Sequence, residues 1–347
     1  MTQKIRVLMI NTGGTIISAD QGGGLRPSEK GKAALKQLIE RESSQWMEWD
    51  LITLMMKDSS LMLPEDWKCL AQEIFYNYDD YDAFLVFHGT DTMAYTASAL
   101  SFALRGLRKP VVLTGAMKSI LEKDSDAPSN VKDSLTFIRA ALDQHLEGVY
   151  VVFNRKAILG VRATKKDSKG LDAFDSVNYP VVASMSDSGV KINVSPARVV
   201  GSFELRAEFE ENVAVLKAFP GMRPWVIDAV VNAGAKGLVV EAYGTGGLSE
   251  DLARKLGEVV KDRNVPVVVT TQPLYGGVDL MEYEVGRALI KAGAISACDM
   301  SKEAAVVKLM WVLKRAKSVD DVRAEFATSY EDEVDPSKCK DQAKEQG

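Results

Sequence analysis

The stretch Ile5-Arg6-Val7-Leu8-Met9-Ile10-Asn11-Thr12-Gly13-Gly14-Thr15-Ile16 decides the fold. A short apolar run stops abruptly at two glycines flanked by threonines. Apolar runs of this length, bounded by glycine, read as buried strands of a parallel sheet. In open α/β sheets, ligands bind beyond the carboxyl ends of the strands. Thr12 and Thr15 are therefore expected at the mouth of a site. The same grammar recurs downstream in His88-Gly89-Thr90-Asp91-Thr92-Met93 and Thr114-Gly115-Ala116-Met117, and less glycine-rich in Lys57-Asp58-Ser59-Ser60. In a parallel sheet all four ends face one side. That clusters Thr15, Ser59, Thr90 and Asp91 around one crevice, near helix N-termini.

Working outward, strands are expected at 5–10, 49–56, 83–87, 110–113 and 148–153. Helices are expected at 28–41, with Ser28 as N-cap, and at 64–78, 93–105 and 130–144. Alternation of this kind argues for a parallel sheet with right-handed crossovers. After a less regular stretch it resumes, with helices at 221–235, 249–262, 283–292 and 302–315 and strands at 237–242 and 265–270. The fold class is α/β. A larger N-terminal catalytic parallel-sheet domain (1–190) is followed by a connector (191–220) and a smaller C-terminal α/β domain (221–330). A charged tail (331–347), poor in apolar residues, is expected to be mobile.

Composition excludes several classes. The chain has 347 residues, 46% hydrophobic and 26% charged, enough for two cores. A net charge of −5 leaves no basic footprint for nucleic acid. No apolar stretch nears the roughly 20 residues of a membrane helix, and the N-terminus lacks a signal-peptide pattern. The expected location is the cytoplasm. Three scattered cysteines, Cys69, Cys298 and Cys339, suit a reducing compartment and not a disulfide framework. Cys69 and Cys298 read as buried packing residues. Only two histidines exist, His88 and His145, which argues against the usual zinc hydrolase site. A Ser-His-Asp triad would need one of them.

Each motif alone also has a bland reading. Thr12-Gly13-Gly14-Thr15 is by itself usually only a turn, and Asp91 or Thr92 could simply cap the following helix. The cluster weighs more than its parts, because a helix needs one cap and this chain supplies spare hydroxyls at every strand end. Dinucleotide and P-loop patterns are absent, and Gly22-Gly23-Gly24 reads as a flexible lid. A threonine nucleophile needs a neighbour to take its proton. With histidine scarce, a desolvated lysine is the candidate, and Gly160-Val161-Arg162-Ala163-Thr164-Lys165-Lys166 offers Lys165.

Thr12-Gly13-Gly14-Thr15-Ile16 and His88-Gly89-Thr90-Asp91-Thr92-Met93 resemble the two signatures of bacterial-type L-asparaginases. Pro64-Glu65-Asp66-Trp67, Asp172-Ala173-Phe174, Tyr275-Gly276-Gly277-Val278-Asp279-Leu280 and Glu303-Ala304-Ala305 extend the resemblance over nearly the whole chain. Leu61 and Ser125-Asp126-Ala127-Pro128 resemble the archaeal cytoplasmic type I branch most. The resemblance implies hydrolysis of L-asparagine to L-aspartate and ammonia, with no metal and no organic cofactor. It implies Thr15 as nucleophile and Thr90, Asp91 and Lys165 as a proton relay. Ser59, helped by backbone near Asp58 and Ser60, would bind the substrate's α-carboxylate. Asp91 would also hold the α-ammonium, and the Ala116 backbone would lie near the amide. A neighbouring subunit completes the family's site, so a homodimer at least is implied.

Two departures stand out. The family usually carries a tyrosine on the loop after the first signature, where this chain has Leu25. Some type I enzymes bind asparagine allosterically through an arginine where Val239-Val240-Glu241-Ala242 places Glu241, so no such allostery is expected. The competing readings are a non-catalytic asparagine or aspartate sensor and an amidohydrolase for glutamine. A further one is the D subunit of glutamyl-tRNA amidotransferase, disfavoured by the acidic charge balance and the early first signature.

Overall fold

The computed structural model describes residues 4–20, 22–43, 46–197 and 201–339. The chain forms two compact units, 1–207 and 208–347. The expected division at 190 and 220 thus becomes a single division near 207, and residues 340–347 of the expected tail lie outside the described residues.

The first unit is built on strands β1 (Ile5–Gly13), β2 (Ser18–Asp20), β3 (Leu25–Pro27), β4 (Met47–Lys57), β5 (Ala83–Phe87), β6 (Leu104–Arg105), β7 (Pro110–Thr114), β8 (Gly148–Phe153) and β9 (Lys156–Leu159). It continues with β10 (Ala163–Lys165), β11 (Phe174–Ser176), β12 (Ala183–Ser186), β13 (Gly189–Ile192) and β14 (Glu204–Leu205). Its helices are α1 (Glu29–Glu42), α2 (Pro64–Tyr76), α3 (Met93–Ala103) and α4 (Ala127–Asp143). One sheet has the order β13-β12-β9-β8-β7-β5-β1-β4. From β4 to β8 it is parallel, and the remaining strands add antiparallel. The central strands β5, β7 and β8 are buried throughout, which is why they read as unbroken apolar runs and not as alternation.

Register decides where the site lies. Asn11 pairs with Phe87, and Phe87 with Thr114. The turns after these residues therefore leave the sheet at one level, on one edge. Helix α1 shows how local chemistry fixes its neighbour. The Ser28 hydroxyl accepts from Gly31 N at 3.0 Å, the expected N-cap, and also donates to the Ile17 carbonyl at 3.1 Å. The cap thereby ties the helix to the turn that carries Thr15. Helix α4 starts three residues earlier than expected, because Pro128 is accommodated in a first turn, where no N–H is needed.

The second unit has a parallel four-stranded sheet, β15 (Val213–Lys217), β16 (Gly237–Ala242), β17 (Val267–Thr271) and β18 (Ile295–Ser296), in that order. Its helices are α5 (Trp225–Asn232), α6 (Glu250–Arg263), α7 (Glu284–Lys291), α8 (Lys302–Val312) and α9 (Val319–Ala327). Two expectations are corrected here. Within the tail expected to be mobile, Glu333, Val334 and Cys339 are buried, and Cys339 forms a disulfide with Cys298. Such bonds persist in oxidising compartments and in the cytoplasm of hyperthermophiles, so cysteine number alone misjudged the pairing. Cys69, the remaining thiol, is half-buried and not fully inside.

The packed tail also buries a charge pair. Lys308 and Glu333 meet at 2.7 Å with no side-chain exposure. Lys308 Nζ also donates to the Thr328 carbonyl, and the Glu333 carboxylate accepts from Tyr330 N and Glu331 N. Removing one partner strands a buried charge, so Glu333→Gln is expected to destabilise this unit by about 3–5 kcal/mol. Urea unfolding followed by intrinsic fluorescence checks this; an unchanged midpoint would contradict it.

Candidate active site

The site residues come from four strand ends and one hairpin of the first unit. Thr15 opens a 3-10 turn, Thr15–Ile17, directly after β1. Its side chain is half-buried, and its hydroxyl has no hydrogen-bond partner among the described residues. Gly14 precedes it at φ 83°, and a Cβ there would come within 2.3 Å of Gly89 Cα. A Cβ on Gly89 would in turn strike Ser59 Cβ and Oγ at 2.6 Å. Glycine is required at both points because the first two turns meet backbone to backbone and the Ser59 side chain presses on the second. Gly14→Ala is expected to cost about 3 kcal/mol of stability through this clash and the positive φ. A thermal melt matching the parent's would rule that out.

Thr90 and Asp91 follow the end of β5. Lys165, the last residue of β10, reaches both. Its Nζ donates to Thr90 Oγ1 at 2.8 Å and pairs with Asp91 Oδ1 at 2.6 Å. Thr90 is buried, the Lys165 side chain is 16% exposed, and Asp91 is 62% exposed, so the trio runs from the protein interior to solvent. The β10–β11 hairpin that carries Lys165 is held by its neighbour. Lys166 pairs with Asp172 and Asp175 at 2.9 and 3.0 Å, and Lys156 reaches Asp172 at 2.7 Å. The hydrogen bonds that Lys166 donates to Asp172 and Asp175 hold its ammonium well above the usual lysine range. Burial opposes ionisation of Asp172, but bonds from Lys156, Lys166 and Asn154 outweigh it and hold that carboxyl well below the usual range.

Ser59 is buried and joins the same cluster. Its Oγ accepts from Asp91 N at 3.2 Å, and its carbonyl accepts from Thr92 Oγ1 at 2.8 Å. Neither Asp91 nor Thr92 caps α3 with its side chain, so the bland reading of this motif fails. Asp58 and Ser60 are exposed, with Asp58 Oδ1 accepting from Ser60 N and Oγ at 2.8 Å. Thr12 is corrected from site to scaffold: its hydroxyl donates to the Phe87 carbonyl at 2.9 Å and staples two strand ends.

Ala116 is fully buried and held by residues the sequence did not single out for this task. Asp126 accepts from Met117 N and Lys118 N at 3.0 and 2.9 Å, and Asn130 donates to the Gly115 carbonyl and to Asp126, both at 3.0 Å. The same loop returns to the nucleophile turn, where Ile120 N donates to the Ile16 carbonyl at 3.0 Å. An acidic residue four positions before an amide side chain at a helix start was the available signal. The glycine run expected as a lid lies between β2 and β3, which pair as a short hairpin with Leu25 half exposed.

His88 is fully buried, and burial pushes its imidazole down to about 4. It is therefore neutral at pH 7 and no proton acceptor for the site. The unfolded chain, titrating near 6.5, binds more protons between these values. Stability is thus expected to fall as pH drops from about 6.5 to about 4, by about 3 kcal/mol from this group. Urea midpoints at pH 4.5 and 7 measure it; a His88→Leu variant with the same acid-side slope would remove His88 as the cause. Among the described residues no cluster of three His, Cys, Asp or Glu could hold a metal ion. No helix there is long and apolar enough to cross a membrane.

A hydroxyl without a partner among the described residues, a second hydroxyl bonded to a lysine brought in by the β10–β11 hairpin, and a carboxylate on that lysine, beside the carboxyl ends of parallel strands, are groups of the kind that covalent acyl transfer uses. Residues 6–198 match the family model of the asparaginase N-terminal domain, and 212–326 that of the glutaminase/asparaginase C-terminal domain. The chain belongs to the asparaginase family, whose members are amidohydrolases. It is 42% identical to an L-asparaginase of Thermococcus kodakarensis, over 92% of this chain and 96% of that one. It is 37% identical to the D subunit of the glutamyl-tRNA(Gln) amidotransferase of Aeropyrum pernix, over 95% of this chain and 79% of that one. The solved thermostable L-asparaginase from T. kodakarensis superposes with a TM-score of 0.88 at 39% identity, covering 95% of this chain and 99% of that one.

Proposed function

We propose that this chain is an L-asparaginase, hydrolysing the side-chain amide of L-asparagine to L-aspartate and ammonia. The observation that carries it is the Thr90–Lys165–Asp91 trio, at 2.8 and 2.6 Å, on a chain whose relatives include L-asparaginases along almost their full length. Binding alone needs no buried threonine hydroxyl bonded to a lysine, which disfavours a sensor.

Thr15 Oγ attacks the amide carbon, and the carbonyl π electrons move to oxygen. The tetrahedral species collapses, the C–N bond breaks, and ammonia leaves. Water then attacks the acyl ester, releases L-aspartate and restores the Thr15 hydroxyl. Two acyl transfers replace one hard hydrolysis. Lys165, acting as an amine through Thr90, accepts the Thr15 proton and returns it to the departing nitrogen; in the second transfer the water proton takes the same route back to Thr15 Oγ. Asp91 holds the substrate's α-ammonium. Ser59, with backbone near Asp58 and Ser60, receives the α-carboxylate, and the Ala116 backbone faces the amide. The working unit is a homodimer at least, and the working location the cytoplasm; both rest on the family resemblance.

The test is ammonia and L-aspartate release by the purified chain from L-asparagine, with L-glutamine in parallel. Stoichiometric release from L-asparagine is expected, with L-glutamine slower, since one methylene is worth about 1–3 kcal/mol of discrimination in a pocket. Saturable binding of L-asparagine without ammonia release would establish the sensor reading instead. Faster release from L-glutamine would reassign the substrate.

A further inference from the structure

The second signature contains a histidine that the hydrolytic steps above do not use. His88 lies at the end of β5, directly before the turn that carries Thr90 and Asp91. Its Nδ1 stands 2.7 Å from the Gly89 carbonyl, and its Nε2 stands 2.9 Å from Thr96 Oγ1. A carbonyl only accepts, so Nδ1 carries the proton. A neutral ring then leaves Nε2 as acceptor, and the Thr96 hydroxyl donates to it. That hydroxyl accepts in turn from Trp67 Nε1 at 3.1 Å. Donation therefore runs one way, from Trp67 on α2 through Thr96 on α3 and His88 to the Gly89 carbonyl. Trp67, Thr96 and His88 are all buried, so this chain holds without competition from water.

The Gly89 carbonyl and the Thr90 N–H belong to one peptide unit. In a planar trans peptide these two groups point in opposite directions. Holding the carbonyl toward buried His88 turns the Thr90 N–H away from it, to the other side of the turn. The neighbouring amides are occupied: His88 N donates to the Thr114 carbonyl at 2.8 Å, and Asp91 N donates to Ser59 Oγ at 3.2 Å. The Gly89 and Thr90 N–H groups have no hydrogen-bond partner among the described residues. Gly89 N packs against Gly14. Thr90 is only 5% exposed, and a nearly buried N–H without a partner is costly unless a ligand takes it.

We propose that His88 is a positioning residue for the hydrolysis: by holding the Gly89 carbonyl it aims the Thr90 N–H at the oxygen that becomes negative when Thr15 attacks. It acts through the peptide and transfers no proton. This inference rests on the asparaginase reading. It gives Thr90 a second duty, with its hydroxyl on Lys165 and its amide on the oxyanion.

The test is kcat and KM for L-asparagine between pH 5.5 and 9, with melting curves, for the parent, His88→Leu, His88→Asn and Thr96→Val. Losing the aim of one oxyanion donor is expected to lower kcat of His88→Leu about 10–100-fold, with KM within about threefold. In His88→Asn the side-chain amide takes the place of the Nδ1–H and restores most of kcat. Thr96→Val, nearly isosteric, frees the tautomer and lowers kcat by a smaller factor. If His88→Leu does not fold, the other two variants carry the test. A folded His88→Leu at the parental kcat, or a loss confined to KM, would overturn the proposal. So would a His88→Asn no better than His88→Leu, or an acid limb of the parent's kcat profile that vanishes in His88→Asn. A parent that releases no ammonia contradicts the asparaginase reading itself, which separates the two failures.

Discussion

Replacing Thr15 by alanine is expected to reduce ammonia release from L-asparagine by about a thousandfold or more, with an unchanged melting temperature. The fold uses other threonine hydroxyls at the strand ends, but not this one. Thr12 staples β1 to the Phe87 carbonyl, and Thr114 donates to the Val152 carbonyl at 2.8 Å. Thr15 Oγ has no partner among the described residues and is half-buried, so its loss leaves no orphaned group behind. The informative control is Thr12→Ala, expected to cost about 1 kcal/mol of stability with much less effect on kcat. A Thr15→Ala protein with near-parental ammonia release would sink the nucleophile assignment.

Lys165→Met is the second large effect, again about a thousandfold in kcat. Methionine keeps most of the stem's volume, so the hairpin still packs, held by Lys166 on Asp172 and Asp175. What disappears is the nitrogen in contact with both Thr90 Oγ1 and Asp91 Oδ1. Asp91 is mostly solvent-exposed, so leaving it unpaired costs little stability. The expected result is a folded protein that still binds L-aspartate and barely turns over L-asparagine. Parental kcat in that variant would remove the lysine from the mechanism.

Much of this was legible in the chain itself. The strand ends at Thr12, His88 and Thr114 announce themselves because apolar runs stop at glycine and hydroxyl residues. Ser28 and Pro64 mark helix starts through their chemistry. What escaped was decided by partners distant in sequence. Glu333 and Lys308 look like surface charges until a partner 25 residues away buries both. Cys298 and Cys339 are unremarkable until the packed tail brings them together. The short strands of the β2–β3 and β10–β11 hairpins hold three residues each, too few to show a period. Among site residues, Thr12 was misread because a hydroxyl at a strand end serves a staple as readily as a substrate. Asp126 and Asn130 hold the Ala116 loop through backbone atoms, and sequence does not display backbone targets.

The most direct test of the central claim is mass spectrometry of the protein acid-quenched during turnover of L-asparagine, sampled from milliseconds to steady state and digested with trypsin. Cleavage after Arg6, with Arg26 protected by Pro27, gives a peptide of residues 7–30 that contains Thr15. The expected result is an added aspartyl group on that peptide, localised by fragmentation to Thr15 and absent from Thr15→Ala. L-asparagine consumed with the aspartyl group on another residue, or with no covalent adduct at any time, would contradict the account.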